Sequence, residues 1–237
     1  MNIAINIGNT NIAVAYKQNQ KLIVNRLNHN NKNQNYVQNN LQTIVPQDVT
    51  SATIASVVPS LVEIVAANFF KAFVITKENL TIDYSLYDST IIGLDRLLIC
   101  QSALKKYKPP LIVCDIGTAI TINVIDKNSK FLGGAILPGI KMGLKALNEG
   151  TAKLPHVSLV DQIQLIGNNT NTSLLSGALY GTASIIDGMR HKIEKELNHS
   201  CNVIITGGGS KYIIEKCTSQ VFYEEELLLE ALLEVNI

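Results

Sequence analysis

Two stretches of this chain repeat one design, and that repetition limits the fold more than any other feature. Leu111–Ile125 is an apolar run that reaches an acid at Asp115, turns at Gly117-Thr118, and returns as a second apolar run with Thr121 and Asn123 on alternate positions. Such runs, bounded by turn residues, predict a buried strand, a tight turn and a returning strand. Ile3–Val14 reads the same way. Asn6 stands where the second copy has Asp115, and Gly8 matches Gly117. Beyond that, either Thr10 matches Ala119 or Asn9 matches Thr118. Two such hairpins, about a hundred residues apart, predict a duplicated unit with a ligand shared between the copies.

The remaining elements fall into the same pattern. After a third strand at Lys21–Arg26 comes an Asn- and Lys-rich loop over 28–35, then apolar positions at helical spacing (Tyr36, Leu41, Ile44) that stop before Pro46. Strands are predicted at Thr53–Val58 and Phe73–Ile75, with a helix between them opened by Pro59. A further helix through Leu97–Leu104 is broken by Pro109-Pro110, which marks the predicted boundary between domains 1–110 and 111–237. The second half continues with a strand at Phe131–Leu137, a helix from Ile140, and a long helix from a Thr170 cap to about Leu197. Gly177, Gly181 and Gly188 in that helix predict the close approach of another helix. Asn202–Ile205 is a strand, Ser210–Lys216 a short helix, Val221–Tyr223 a strand and Glu224–Val235 a closing helix. Similar element order in the two halves predicts tandem α/β domains.

Composition narrows the function classes. Of 237 residues, 46% are apolar and 16% charged, enough for a sizeable core. A net charge of +1 gives no electrostatic case for nucleic acid or an anionic membrane, and the absence of Trp gives none for a stacking platform. The four cysteines lack metal-type spacing. No apolar run approaches ~20 residues and no leader pattern opens the chain, so the expectation is a cytoplasmic protein without a membrane span.

Several residues could carry chemistry. Gly8-Asn9-Thr10 and Gly117-Thr118 can bring backbone N–H groups and side-chain donors to an anion, or can be ordinary hairpin turns. Asp115 closes an apolar strand, where a carboxylate needs a partner. It is a cation ligand or a turn cap. Asp95 is a general base for a substrate hydroxyl or a helix-start acid, and Arg96 beside it suits an anionic part of that substrate. Gly207-Gly208-Gly209 could let an adenine or ribose lie on the backbone, or could be a flexible turn; it lacks the Lys-Ser/Thr ending of a Walker loop. His29, His156, His191 and His199 read as surface residues. Glu224-Glu225-Glu226 reads as an acidic start to the last helix, and Lys105, Lys106 and Lys108 as the basic end of another.

Taken in order, Ile7-Gly-Asn-Thr-Asn11, Ser56-Val-Val-Pro59, Gly93-Leu-Asp-Arg96, Asp115-Ile-Gly-Thr-Ala119, Gly133-Gly-Ala-Ile-Leu-Pro-Gly139, Thr151-Ala-Lys-Leu-Pro155, Asn169-Thr170 and Ile205-Thr-Gly-Gly208 resemble the type III pantothenate kinases. These form a branch of the actin, sugar-kinase and heat-shock-chaperone superfamily. The resemblance implies two tandem ribonuclease-H-like domains of the actin-like ATPase fold with a central nucleotide cleft. It implies ATP-dependent phosphorylation of pantothenate, the first step of coenzyme A biosynthesis. Asn6, Ile7, Gly8, Asn9, Thr10, Asn11, Ile12 and Ala13 would form the first phosphate loop, and Thr118 would help bind ATP. Asp95 would accept the proton of the pantothenate hydroxyl. Tyr87, Gly93, Leu94, Asp95 and Arg96 would line the substrate pocket. Asp115 would hold a monovalent cation, K⁺ or NH₄⁺, and Mg²⁺ would accompany ATP. Thr170 would reach pantothenate in the partner subunit of a homodimer. The family usually has Asp at the position of Asn6, which leaves a non-catalytic or impaired nucleotide-binding relative as the alternative. It also commonly has Pro where Thr90 stands.

Overall fold

A computed structural model describes residues 1–29, 34–88, 90 and 92–235. The part of the Asn/Lys-rich loop at 30–33 lies outside the described residues. The chain divides into two compact units, residues 1–81, 90–102 and 227–237 in the first and residues 82–89 and 103–226 in the second.

The first unit is built on a five-stranded sheet. β1 (Asn2–Ile7), β2 (Asn11–Gln18) and β3 (Lys21–Asn28) form an antiparallel meander, and β4 (Ser51–Ser56) and β5 (Ala72–Val74) add in parallel on the other side of β1. The strand order is β3-β2-β1-β4-β5. Alternation along β1 sorts large from small. Ile3, Ile5 and Ile7 face a core with Val37 of α1 (Gln34–Asn40) and Leu61 and Val65 of α2 (Pro59–Ala66). Ala4, with Ala13, Ala15 and Ala55 from the neighbouring strands, forms the opposite face. That face packs against Leu98 of α3 (Leu94–Lys106) and Leu229 and Leu232 of α6 (Leu227–Leu233). α4 and α5, described below, intervene in chain order.

The second unit repeats the plan. β6 (Leu111–Ile116), β7 (Ala119–Ile125) and β8 (Phe131–Pro138) are antiparallel, and β9 (Asn202–Thr206) and β10 (Phe222–Tyr223) add in parallel, in the order β10-β9-β6-β7-β8. Written from its own first strand, this is the order of the first sheet. Both sheets therefore have the ribonuclease-H-like arrangement of the actin-like ATPase fold. Ile112, Cys114 and Ile116 of β6 pack with Ile140 and Leu144 of α4 (Ile140–Glu149) and Leu175, Leu179 and Ile186 of α5 (Thr170–Leu197). No helix among the described residues is long and apolar enough to cross a membrane.

Four local expectations change. Asn169, not Thr170, caps α5. Its side chain accepts from the Thr172 N–H while Thr172 reaches back, so Thr170 is the first helical residue. Gly177, Gly181 and Gly188 meet no other helix among the described residues: beyond the nearby backbone of α5 itself, an added Cβ would find nothing within 4 Å. Residues 210–216 form two short 3-10 turns rather than one helix, because the segment lacks an amphipathic stripe long enough to propagate. The closing helix starts at Leu227, and Glu224 is instead held by Lys106 (2.7 Å) and Tyr107 (2.5 Å), so neither Glu224 nor Lys106 serves only a helix dipole.

Candidate functional site

Each unit carries one hairpin loop at the end of its first strand. In the first unit the loop is Gly8-Asn9-Thr10. It is closed by the Gly8 N–H donating to the Asn11 carbonyl at 3.0 Å, and the Val57 N–H holds the Ile7 carbonyl at 3.0 Å. In the second unit the loop is Gly117-Thr118, closed by the Gly117 N–H to the Ala119 carbonyl at 3.1 Å. The ladders pair Ile7 with Ile12 but Ile116 with Ile120, so the first loop is one residue longer. Counted from the first strand, Asn9 matches Thr118 and Thr10 matches Ala119 together; counted back from the second strand, the extra residue shifts the match to Thr10 with Thr118.

Asn6 and Asp115 occupy the same penultimate position of their strands but not the same surroundings. Cross-strand partners share a face. Asp115 lies in register between Thr121 and Thr206. Asn6 lies in register between Ala13 and Ala55, and its side chain makes no hydrogen bond among the described residues. The second site therefore places a carboxylate between hydroxyls, and the first a neutral amide between methyls.

Three glycines from other segments close on the second loop. A Cβ on Gly207 would lie 2.1 Å from Asp115 Oδ1, and one on Gly139 would lie 2.2 Å from the Thr118 carbonyl oxygen. The Gly139 N–H donates to that carbonyl at 3.1 Å, and the Gly209 N–H donates to the Ile116 carbonyl at 2.8 Å. Gly207 also has φ +91°, a backbone geometry that side chains resist. The triple glycine thus shapes the Asp115 side of the second hairpin. The sequence signal for this was only its place after a strand.

Asp95 is the second residue of α3. Its Oδ1 accepts from the Arg96 N–H at 2.9 Å and sits back over Gly93, where a Cβ would be 2.4 Å away. Burial pushes the Asp95 carboxyl above its ordinary range, against the backbone hydrogen bond and the Arg96 charge, which pull it down. Arg96 is itself only 6% exposed. Tyr87, in the second unit, stands edge-on to Phe131 with ring centroids 5.4 Å apart and covers Gly133, whose φ of +110° leaves no room for a side chain beneath the ring. Thr118 and Thr170 are exposed, whereas Ile7, Ile12 and Ala13 are buried strand residues.

The first unit therefore holds Asn6 through Ala13 and Gly93 through Arg96, and the second holds Tyr87, Asp115, Thr118 and Thr170. No group of three or more His, Cys, Asp or Glu side chains forms a metal cage among the described residues. A single carboxylate among hydroxyls and carbonyls suits a monovalent cation. A divalent ion would need oxygens from a bound phosphate chain and water.

His29 is 2% exposed, not on the surface. The β2–β3 ladder, in register at Asn11 and Asn28, is extended one step by the His29 N–H to the Thr10 carbonyl at 3.0 Å, which draws the ring inside. The polar neighbours of His29 hid this. The hairpin register was the signal that could have found it. His156, His191 and His199 are exposed.

A profile of the family described as type III pantothenate kinase matches residues 2–192. The type III pantothenate kinase of Sulfurihydrogenibium sp. (strain YO3AOP1) is 30% identical, over 98% of this chain and 98% of that protein. The type III pantothenate kinase of Finegoldia magna is 33% identical, over 99% of this chain and 96% of that protein. Among solved structures, a Campylobacter jejuni protein provisionally described as a conserved Baf family transcriptional activator superimposes with a TM-score of 0.66 at 21% identity, covering 98% of this chain and 96% of that one. That likeness speaks to the fold alone.

Proposed function

The chain belongs to the type III pantothenate kinase family, and from that membership we infer that it transfers the terminal phosphoryl group of ATP to the primary hydroxyl of pantothenate, the first step of coenzyme A biosynthesis. The observation that carries this is the match to such kinases over nearly the whole chain. A non-catalytic relative rests on Asn6 alone and is not favoured.

Phosphoryl transfer needs positioning and neutralisation of charge more than covalent help from the protein. Asp95 takes the proton from the pantothenate hydroxyl. The burial that raises its carboxyl makes it a stronger base, which supports that role. Tyr87, Gly93, Leu94 and Arg96 line the alcohol's pocket. The Asn6–Ala13 hairpin and Thr118 hold the nucleotide phosphates through loop N–H groups and side chains. Asp115, between Thr121 and Thr206, is the carboxylate that would hold K⁺ or NH₄⁺, and Mg²⁺ would rest on the phosphates. When bound, these cations supply countercharge to the phosphoryl group.

The active species is a homodimer in which Thr170 completes the partner's pantothenate pocket. Support comes from the exposed parts of the second unit. Gly177, Gly181 and Gly188 are open, Ile136 and Ile185 are 64% and 43% exposed, and an apolar pocket of about 180 Å³ lies among Ile120, Leu137, Pro138, Thr182, Ile185 and Ile186. Cys100, Cys114, Cys201 and Cys217 are in no disulfide among the described residues, in accord with a reducing, cytoplasmic setting. The test is formation of phosphopantothenate from ATP and pantothenate with K⁺ and Mg²⁺ supplied. No product at any Mg²⁺ concentration would sink the reading.

A further inference from the structure

The buried His29 has no part in the chemistry assigned above, yet it is bound twice to the first phosphate loop. Its backbone N–H donates to the Thr10 carbonyl at 3.0 Å, and its ring Nε2 lies 2.8 Å from the Gly8 carbonyl. A carbonyl can only accept, so the proton is on Nε2. The other ring nitrogen, Nδ1, is buried and has no hydrogen-bond partner among the described residues. A side chain held only for packing would not need a polar ring there. Among the described residues, the one polar contact the ring makes is with the loop.

That contact fixes the orientation of one peptide plane. In a trans peptide the carbonyl and the following N–H point in opposite directions. Drawing the Gly8 carbonyl toward a side chain that is 2% exposed turns the Asn9 N–H outward. Asn9 is exposed, and its N–H makes no hydrogen bond among the described residues. An outward N–H in a glycine-containing loop is an anion donor. The second loop has no histidine. Its carbonyls are held instead by the Gly139 and Gly209 N–H groups.

We propose that His29 is a positioning residue of the nucleotide site: through Nε2 it locks the Gly8–Asn9 peptide so that the Asn9 N–H meets a phosphate oxygen of ATP. The proposal rests on the assignment of this loop to ATP. It concerns nucleotide affinity and leaves pantothenate recognition alone.

Three variants of the full chain test it. In His29→Gln the amide nitrogen stands near the place of Nε2 and can still donate to Gly8. In His29→Asn the amide nitrogen matches Nδ1 and falls short. His29→Leu keeps bulk without a donor. ATP affinity is read by calorimetry without pantothenate, and KM for each substrate by steady-state assay. His29→Asn and His29→Leu should each weaken ATP binding and raise its KM by about tenfold, the worth of one hydrogen bond, with KM for pantothenate unchanged. His29→Gln should restore most of the loss. If His29→Leu does not fold, the Asn and Gln pair reads the same comparison. Equal ATP affinity in wild type, Asn and Gln variants overturns the proposal while leaving the kinase assignment intact. Equal losses in both KM values overturn it as well, since a general structural defect would then account for them. A wild-type chain that binds no ATP overturns both.

Discussion

Asp115 Oδ1 occupies the space that a side chain at position 207 would need, since a Cβ on Gly207 would lie 2.1 Å from it. The glycine and the carboxylate are thus a single fitted pair. Gly207→Ala forces the carboxylate to move and also strains a residue at φ +91°. The expected loss is about 2 kcal/mol, or roughly 4–8 °C in Tm for a chain of this size. The concentration of K⁺ giving half-maximal activity should rise with it. Unchanged K⁺ activation in the alanine variant would show that Asp115 does not serve the cation.

Asp95→Asn should lower kcat by about 10²–10⁴-fold, the usual contribution of a positioned general base. It should not lower stability at neutral pH. Burial raises the folded-state pKa of this group above 3.8. Its favourable share of stability is therefore complete below 3.8 and is lost as pH rises through the folded value. Removing the charge above that point relieves a penalty. In wild type, kcat/KM should fall on the acid side with a midpoint above the ordinary carboxylate range, and the asparagine variant should lack that limb.

Asn6→Asp tests the inequality of the two hairpins. A carboxylate there can assist the magnesium–phosphate unit, so the Mg²⁺ needed for half-maximal rate should fall severalfold. Ala13 and Ala55 beside it offer no hydroxyl to share the load, unlike Thr121 and Thr206 beside Asp115. An unaltered Mg²⁺ requirement would mean that the amide already suffices.

Glu224→Gln should cost about 1 kcal/mol, because the Lys106–Glu224 pair is partly exposed and screened. Burial pushes the Glu224 carboxyl up, but hydrogen bonds from Lys106 and Tyr107 and the Lys106 charge outweigh it and hold the group below 4.5. The contribution is thus present above 4.5 and fades as pH drops through the lower folded value. Chemical denaturation of wild type and variant should differ at pH 7 and converge in strong acid.

Ile185→Asp places a charge beside the pocket formed with Leu137 and Pro138. Sedimentation should show wild type as a dimer and the variant as a monomer. If Thr170 serves the partner's site as proposed, activity should be lost along with the dimer. A wild-type monomer with full activity would remove the dimer from the proposal.

The duplicated sheet was legible because its signals are local: apolar strands, glycine turns and a recurring order of elements. Asp115 and Asp95 stood out for the same reason, an acid where an apolar run ends or a helix begins. His29 did not, because its burial comes from a ladder register that extends past an Asn-rich segment. Nor did the reason for Gly139 and Gly207, which answer to atoms far away in sequence. The open glycines of α5 misled because a small-residue stripe can also lie on a helix face that meets no other segment of its own chain.

Among the described residues β3 is the outermost strand of its sheet and bonds to one neighbour only. His29 follows directly from its end. Outer strands breathe more often than inner ones, and each such opening releases whatever is anchored to them. The second loop is pinned partly by Gly209, which follows β9 inside its sheet. Amide hydrogen exchange should therefore be faster in the first loop than in the second. The excess should track the protection of β3, so that the fraying of an edge strand sets how long the first loop keeps its shape.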